Sequence, residues 1–378
     1  MRAIINTPFC SKRISTLPEG CRRCVTGEKT VVFVTGLCGR SCFYCPVSEQ
    51  KFKKDVIYAN EWPIKNPAEL IEEARLCDST GAGITGGDPL VKLDRTIDFI
   101  LRLKKAFGKG FHIHLYTPLE LVTSDRLARL YEAGLDEIRF QPDQDDDKLW
   151  PRLALPVAFD WDVVVEIPGI PGYTSKAKKL IRFIDDVGIR YLNINELEIS
   201  DTNAQHLLDR GLVPKDDISY GVKGSEEMAE KLLAYCAEKT KLHVHYCTTT
   251  LKDRVQLANR IKRRAKNVAA AFDRVTREGM LVRGAVYDER TFPGTGQKAK
   301  LEKHAQAANR RLAYLKERLI KQGLLTRDLV ALDRPRGRLL MSEKDIRRLR
   351  GDLEGFIPTL VTEYPTHDHM LVELDQLS

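Results

Sequence analysis

Short apolar runs alternate with longer amphipathic stretches between residues 29 and 250 of the chain. The apolar runs are short and rich in β-branched and aromatic residues, as in buried strands, and the stretches between them have helical character. This alternation predicts βα units and a parallel sheet. Six strands are predicted: Val31–Thr35, Gly83–Thr85, His112–Tyr116, Glu137–Phe140, Asp162–Ile167 and Tyr191–Leu197.

Local signals refine this pattern. Asn66 is placed to cap a helix, Pro67 to occupy its first position and Glu69 to close a capping box. After the six units, four further elements are predicted: a strand at Lys241–Tyr246, a basic helix from Leu251 to about Arg277, a strand at Met280–Tyr287 and a helix over about Lys298–Gln322. We therefore divide the chain into a loop-like, cysteine-rich segment (1–28), a βα region (29–250) and a mixed α+β extension (251–378).

Composition limits the classes of protein to consider. The chain has 378 residues and is 43% hydrophobic, enough for one large core and a smaller unit. No apolar stretch is long enough to span a membrane, and no secretory signal is apparent. We expect a cytoplasmic protein, and its nine cysteines indicate metal binding in preference to disulfides. The net charge of +8 leaves room for an anionic partner.

Three cysteines directly follow the first predicted strand. Cys38, Cys42 and Cys45 have the spacing C-x3-C-x2-C. A [4Fe-4S] cluster held by three thiolates on one loop keeps its fourth iron free for a ligand that is not protein. Structural zinc normally takes four protein ligands and fits this spacing poorly. The alternative is a trio of ordinary cysteines.

This motif resembles that of the radical S-adenosylmethionine (radical SAM) superfamily, and the resemblance extends to about residue 250. It implies an α/β fold, a partial (β/α)6 TIM-like barrel. It also implies that the open iron binds SAM and that one electron from the reduced cluster splits a C–S bond to give a 5′-deoxyadenosyl radical. Within the superfamily, the chain looks like archaeal-type proteins distantly related to pyruvate formate-lyase activating enzymes.

The resemblance also implies residues that bind SAM. Tyr44, before the last cysteine of the motif, would pack near the adenine. Gly86, Gly87 and Asp88 follow the second strand and resemble the family's Gly-Gly-Glu-Pro element, with Asp in place of Glu. In the family, the backbone of this element accepts hydrogen bonds from the methionine amino group, and glycines permit that close approach. The substitution puts a direct role of the Asp88 side chain in doubt.

Three later strand ends carry further SAM-binding candidates, Gln141, Glu166 and Asn195. Asn193 shares a strand face with Asn195, so both amides are expected to point the same way. The alternative for each is a buried polar residue satisfied by its neighbours. His112 and His114 are expected to lie in the core or at its rim, and no catalytic side chain is predicted.

A second metal site is predicted from the amino-terminal cysteines. Cys10, Cys21 and Cys24 have the spacing C-x10-C-x2-C, and Cys247 at the end of the late strand is the candidate fourth ligand. His243 and His245 are substitutes for Cys247. The spacing leaves zinc and an auxiliary iron–sulfur cluster both open, with reduced structural thiols as the alternative. Cys77 and Cys236 are predicted to be core residues.

The substrate stays open at this point. The basic helix places Arg260, Arg263 and Arg264 on one stripe, which favours RNA; a solvated helix face is the alternative. A glycyl-radical-type protein activase and a small-molecule or lipid enzyme are the other catalytic alternatives. A metal-stabilised nucleic-acid-binding protein is the non-catalytic one. An enzyme of this family would need a reducing electron donor such as ferredoxin or flavodoxin.

Overall fold

The computed structural model describes residues 1–216, 219–294 and 297–377. The chain divides into two compact units, Met1–Arg260 and Ile261–Ser378. The boundary therefore falls slightly after the predicted one at residue 250. Residues 1–28 belong to the first unit and do not form a unit of their own.

The first unit is built on an 11-stranded sheet. Its strands are β1 (Ile4–Asn6), β2 (Lys12–Ile14), β3 (Lys29–Phe33), β4 (Tyr58–Ala59), β5 (Trp62–Pro63), β6 (Gly81–Thr85), β7 (His112–Thr117), β8 (Glu137–Phe140), β9 (Asp162–Gly169), β10 (Tyr191–Glu196) and β11 (His243–Cys247). Seven of them are parallel neighbours in the order β3, β6, β7, β8, β9, β10, β11. The prediction of a partial (β/α) barrel is confirmed, with β11 as a seventh parallel strand.

The first parallel strand begins two residues earlier than predicted. Lys29 pairs with Gly81 in the ladder, and its ammonium donates to the His112 carbonyl oxygen at 2.7 Å. A lysine interrupts the apolar pattern, and its internal hydrogen bonds explain why it is nevertheless buried.

Seven helices accompany these strands in the described part of the chain: α1 (Glu19–Val25), α2 (Pro67–Leu76), α3 (Leu93–Phe107), α4 (Ser124–Glu132), α5 (Thr174–Val187), α6 (Ala204–Leu208) and α7 (Ser225–Lys239). The next helix, α8 (Ala258–Val268), contains the boundary between the two units. The predicted capping box of α2 is present, with the Asn66 side chain accepting from the Ala68 and Glu69 amides. Apolar residues of α2, α3, α4, α5 and α7 form one core with the strands. Burying that surface is the main favourable term in the stability of this unit.

The two ends of the parallel sheet are covered by antiparallel strands. β4 pairs with β3 at one end, and β2 pairs with β11 at the other. The short helix α1 packs against the polar interior of the barrel, where the Gly20 amide donates to Glu137 Oε2 at 2.8 Å. A Cβ atom on Gly20 would lie 2.6 Å from both the Arg139 guanidinium and the His114 ring. Only glycine therefore fits at this contact.

The second unit has an antiparallel sheet in the order β14, β15, β13, β16, β17, with β12 paired to β13. Its strands are β12 (Arg274–Val275), β13 (Leu281–Tyr287), β14 (Val330–Asp333), β15 (Arg338–Met341), β16 (Ile357–Glu363) and β17 (Leu371–Gln376). Helix α9 (Gln297–Lys321) contributes Leu312, Leu315 and Leu319 to the core, and α10 (Glu343–Arg348) contributes Ile346. This unit is the predicted α+β extension.

The predicted basic helix from Leu251 to Arg277 is wrong in its extent. Leu251–Leu257 form a π-helical turn, α8 ends at Val268, and the chain then enters β12. Phe272, which follows the end of α8, is buried in a cluster with Ala285 and Tyr287.

The arginine stripe on α8 is not a free basic surface either. Arg264 is 4% exposed and donates to the Pro365 carbonyl oxygen. Arg260 forms an ion pair with Glu61. Two of the three predicted phosphate-binding arginines are thus engaged within the fold.

Among the helices that the structure describes, none combines the length and the apolar character that a membrane crossing requires.

Candidate active site

The cysteine loop connects β3 to β4 and lines a cavity beside the carboxyl ends of the parallel strands. Cys38, Cys42 and Cys45 all line this cavity, which has a volume of about 280 Å³ and is open to solvent on one side. The Cys45 amide donates to the Cys42 carbonyl oxygen at 3.1 Å, which tightens the loop. Burial raises the pKa of all three thiols. A bound metal would offset this cost by stabilising the thiolates.

Gly86 and Gly87, which are predicted to bind SAM, line the same cavity. A Cβ atom on Gly87 would lie 2.5 Å from the Leu37 carbonyl oxygen, and one on Gly86 would lie 2.4 Å from the Thr35 carbonyl oxygen. The Gly87 amide donates to that same Thr35 oxygen at 2.8 Å. The two glycines therefore allow the start of the cysteine loop to pack closely against the end of β6. The sequence did not predict this role.

The Asp88 side chain does not line the cavity. It is 1% exposed, and its Oδ1 accepts hydrogen bonds from the Leu90 amide and the Thr117 hydroxyl, both at 2.9 Å. Asp88 caps the helical turn that follows it. A cofactor-binding role for its carboxylate is therefore not supported, because both contacts hold it inside the fold.

Tyr44 and Gln141, two further residues predicted to bind SAM, also line the cavity. The Arg40 guanidinium donates to the Gln141 carbonyl oxygen at 2.6 Å and pairs with Asp143 at 3.1 Å. These bonds tie the cysteine loop to the end of β8. Sequence reasoning missed Arg40, although an arginine inside the cysteine motif was a visible signal.

Glu166 and Asn195, the remaining residues predicted to bind SAM, line the cavity and are hydrogen-bonded to one another. Glu166 Oε1 accepts from the Asn195 amide at 2.7 Å, and Oε2 accepts from the Asn193 amide at 2.9 Å. Arg139 donates to Glu166 Oε2 at 3.3 Å and to Glu137 at 2.6 Å. Glu166 thus connects the cavity to the buried polar interior beneath it.

Three further charged residues line the cavity: Glu196, Glu198 and Lys252. Glu196 Oε2 accepts from both the amide and the hydroxyl of Thr249, at 2.8 and 2.9 Å. Lys252 lies in the π-helical turn and pairs with Glu198 at 3.2 Å. Local irregularities of this kind occur often at functional sites.

The cysteines of the predicted second set differ in burial. Cys21 and Cys247 are buried and Cys24 is half-buried, whereas Cys10 is exposed in the turn between β1 and β2. In the part of the chain that the structure describes, no three His, Cys, Asp or Glu side chains stand close enough to enclose one ion. The second metal site stays a prediction. Cys77 and Cys236 are buried, as expected of core residues.

The three thiols of the cysteine loop are suitable donors for an iron–sulfur cube. Three thiols on one loop line one cavity, and that cavity is also lined by the glycine turn and by polar strand ends. Because each thiolate of a cube binds a different iron, its cysteines stand farther apart than the ligands of a single ion. Cys38, Cys42 and Cys45 would hold the cluster, and the rest of the cavity is left for its open iron and SAM.

Comparisons with known proteins agree with this geometry. The family model described as the Radical SAM superfamily matches residues 32–194. A relative from Methanocaldococcus jannaschii, named as a glycyl-radical enzyme activating enzyme, is 46% identical over 285 residues, which cover 73% of this chain and 75% of the relative.

Two solved structures are also similar. One is SuiB from Streptococcus suis bound to S-adenosylmethionine, with a TM-score of 0.41, 11% identity, and coverage of 58% of this chain and 49% of that one. The other is methylornithine synthase PylB, with a TM-score of 0.38, 13% identity, and coverage of 60% and 68%. This chain therefore spans about half the length of SuiB. The matches to the relative and to the family model establish that this chain belongs to the radical SAM superfamily of enzymes.

Proposed function

We propose that this enzyme activates a partner protein by removing a hydrogen atom from the α-carbon of a glycine residue. The observation that carries this proposal is the 46% identity to a relative named as a glycyl-radical enzyme activating enzyme. Membership of the superfamily supports radical chemistry, and the name of the relative supports a protein substrate.

Each group in the cavity has a task in this proposal. Cys38, Cys42 and Cys45 hold the [4Fe-4S] cluster. Backbone atoms of Gly86 and Gly87, together with Tyr44, bind SAM, and the set is completed by the polar side chains at the strand ends, Gln141, Glu166 and Asn195. When bound, the cluster and SAM supply a 5′-deoxyadenosyl radical, with one electron from a donor such as ferredoxin or flavodoxin and with methionine released.

The chemistry of the cavity wall supports a peptide substrate. Glycine has no side chain, so a site that selects it must read the backbone N–H and C=O groups beside it. The Lys252 and Glu198 pair places a charged donor next to a charged acceptor on the wall of the cavity. We propose that the C=O and N–H of a peptide group replace this mutual contact when the substrate binds.

The other predicted functions gain less support. Two of the three arginines of the α8 stripe are engaged within the fold, which weakens the case for RNA binding. Membership of an enzyme superfamily contradicts the non-catalytic nucleic-acid-binding alternative.

The first test is reductive SAM cleavage. The anaerobically reconstituted chain, supplied with dithionite and SAM, is expected to release 5′-deoxyadenosine and methionine in equal amounts. No release from a chain that carries a full cluster would contradict the radical reaction itself.

The second test identifies the substrate class. A lysate of cells grown on α-deuterated glycine is separated into protein, RNA and small-molecule fractions, and each fraction is added to the reaction. We expect deuterium in 5′-deoxyadenosine with the protein fraction alone, together with a glycyl-radical doublet in the EPR spectrum. Transfer from the small-molecule or RNA fraction alone would overturn the activase proposal and leave SAM cleavage intact.

A further inference from the structure

Buried polar atoms without a partner collect in the barrel interior of the first unit. They are both ring nitrogens of His245, His114 Nδ1 and Asn193 Oδ1, on side chains that are at most 3% exposed. Leaving a buried donor or acceptor unpaired costs about 1–3 kcal/mol, and folded proteins tolerate few such groups. Their concentration indicates that the interior receives a partner other than the described protein atoms.

The strand register places two of these residues, Asn193 and His245, in one layer with Glu166. Glu166 on β9 is opposite Asn193 on β10, and Asn193 is opposite His245 on β11. Arg139 on β8 reaches this layer by donating to Glu166. Because side chains alternate along a strand, Cys247 lies on the same face of β11 as His245. A thiol and an unpartnered imidazole thus share one inner face of the last strand.

Helix α1 brings two more thiols to the same interior. Cys21 and Cys24 are three residues apart and therefore share one side of the helix. Cys21 Sγ accepts from the Arg139 guanidinium at 3.3 Å, and Val25 at the end of α1 packs against Cys247. Arg139 therefore links the thiols of α1 to the layer that contains His245.

We propose that Cys21, Cys24, Cys247 and His245 bind a second metal centre, of the thiolate-liganded zinc or iron–sulfur class, inside the barrel. Three thiols and one imidazole form a set that both classes accept. We leave Cys10 out of the ligand set because it is exposed, whereas Cys21, Cys247 and His245 are buried. The side chains are not gathered around one point, and neither are those of Cys38, Cys42 and Cys45. Metal binding draws each set together.

The centre would also have a structural role. It links α1, near the amino terminus, to β11, the last parallel strand, which are separated by more than 200 residues of chain. A cross-link between distant parts of the sequence restricts the unfolded chain and adds to stability. This inference goes beyond the proposed function and does not depend on it.

The experiment measures metal in a chain that cannot hold the first cluster. The C38A/C42A/C45A variant is reconstituted anaerobically, once with iron and sulfide and once with zinc, and is then desalted and assayed for iron, zinc and acid-labile sulfide. We expect one metal centre per chain to remain. Iron with sulfide identifies the iron–sulfur class, and zinc alone identifies the zinc class. A chain free of metal after both treatments would overturn the proposal.

Matched substitutions in that background assign the ligands. Adding C247S is expected to remove the metal, and adding H245A to weaken its binding at least tenfold, whereas C10S and C236A are expected to retain it. Loss with C10S, or full retention with C247S, would overturn the ligand set. To cover variants that fold poorly, cobalt(II) is titrated into the unsubstituted interior of the C38A/C42A/C45A chain. Thiolate-to-cobalt absorption bands support the site, and their absence contradicts it.

Discussion

The two groups of cysteines in this enzyme differ in how the fold brings them together. Cys38, Cys42 and Cys45 lie within eight residues on one loop beside an open cavity. Cys21, Cys24 and Cys247 come from α1 and the last parallel strand, and lie in a buried polar interior. The first group is recognisable from spacing alone. The second depends on topology, because only the arrangement of the strands places residue 247 near residue 21.

This difference indicates a catalytic role for the first group and a structural role for the second. The open loop has solvent access and room for a ligand, as a site that turns over substrate must have. Neither Cys21 nor Cys247 lines that cavity, and both thiols are buried. We therefore expect substitutions in the loop to abolish catalysis while the fold survives, and substitutions in the interior to act first on metal content and stability.

The largest effect is expected from C38A/C42A/C45A. Without thiolates there is no cluster, so release of 5′-deoxyadenosine should fall below detection, as measured by liquid chromatography and mass spectrometry. The thermal melting profile should still show a folded chain. Measurable SAM cleavage by this variant would contradict the assignment of the active site.

Gly87→Leu comes next. Its side chain would collide with the Leu37 carbonyl oxygen, and overpacking of this kind costs about 1–3 kcal/mol. Because Leu37 directly precedes Cys38, we expect loss of iron as well as of SAM cleavage. The control is Gly39→Ala in the same loop, where a Cβ atom has nothing within 4 Å. A Gly87→Leu variant that keeps its iron but loses SAM affinity would show that the glycine serves the ligand alone.

Glu166→Gln should have a smaller effect. It removes the charge that Arg139 and two asparagine amides share, and charge-assisted hydrogen bonds are worth roughly 1.5–3 kcal/mol. SAM affinity is therefore expected to fall roughly tenfold to a hundredfold, measured by the SAM-induced change in the EPR spectrum of the reduced cluster. Iron content should be unchanged. Loss of the cluster instead would place Glu166 in the support of the cysteine loop.

The smallest effect is expected from Cys236→Ala. This thiol is fully buried on α7, away from both groups, and behaves as a small apolar side chain. Its removal should cost about 1 kcal/mol of unfolding free energy in denaturant titrations. Metal content and SAM cleavage should match those of the unsubstituted chain, and a change in either would assign this cysteine a function.

What the sequence predicted correctly was encoded locally. The capping box of α2 and the cysteine loop each need only a few neighbouring residues. Lys252 was missed because it reaches the cavity through a π-helical turn after β11. Cys10 differs from Cys21 and Cys247 in being exposed, which its spacing in the sequence does not reveal. The basic helix was drawn too long, since the burial of Phe272 is a tertiary effect.

The pairing of the amino-terminal strands with β11 has a consequence for biosynthesis. The Arg2 guanidinium donates to the Leu242 carbonyl oxygen at 2.7 Å, and β2 joins the sheet only through β11. At about 5–20 residues per second, the ribosome needs roughly 12–50 s to make the chain between them. During that time the first segment of the nascent protein has no strand to pair with. The amino-terminal strands can therefore pair only after most of the barrel has left the ribosome. Truncation products that lack β11 should be cleaved by proteases at their amino terminus.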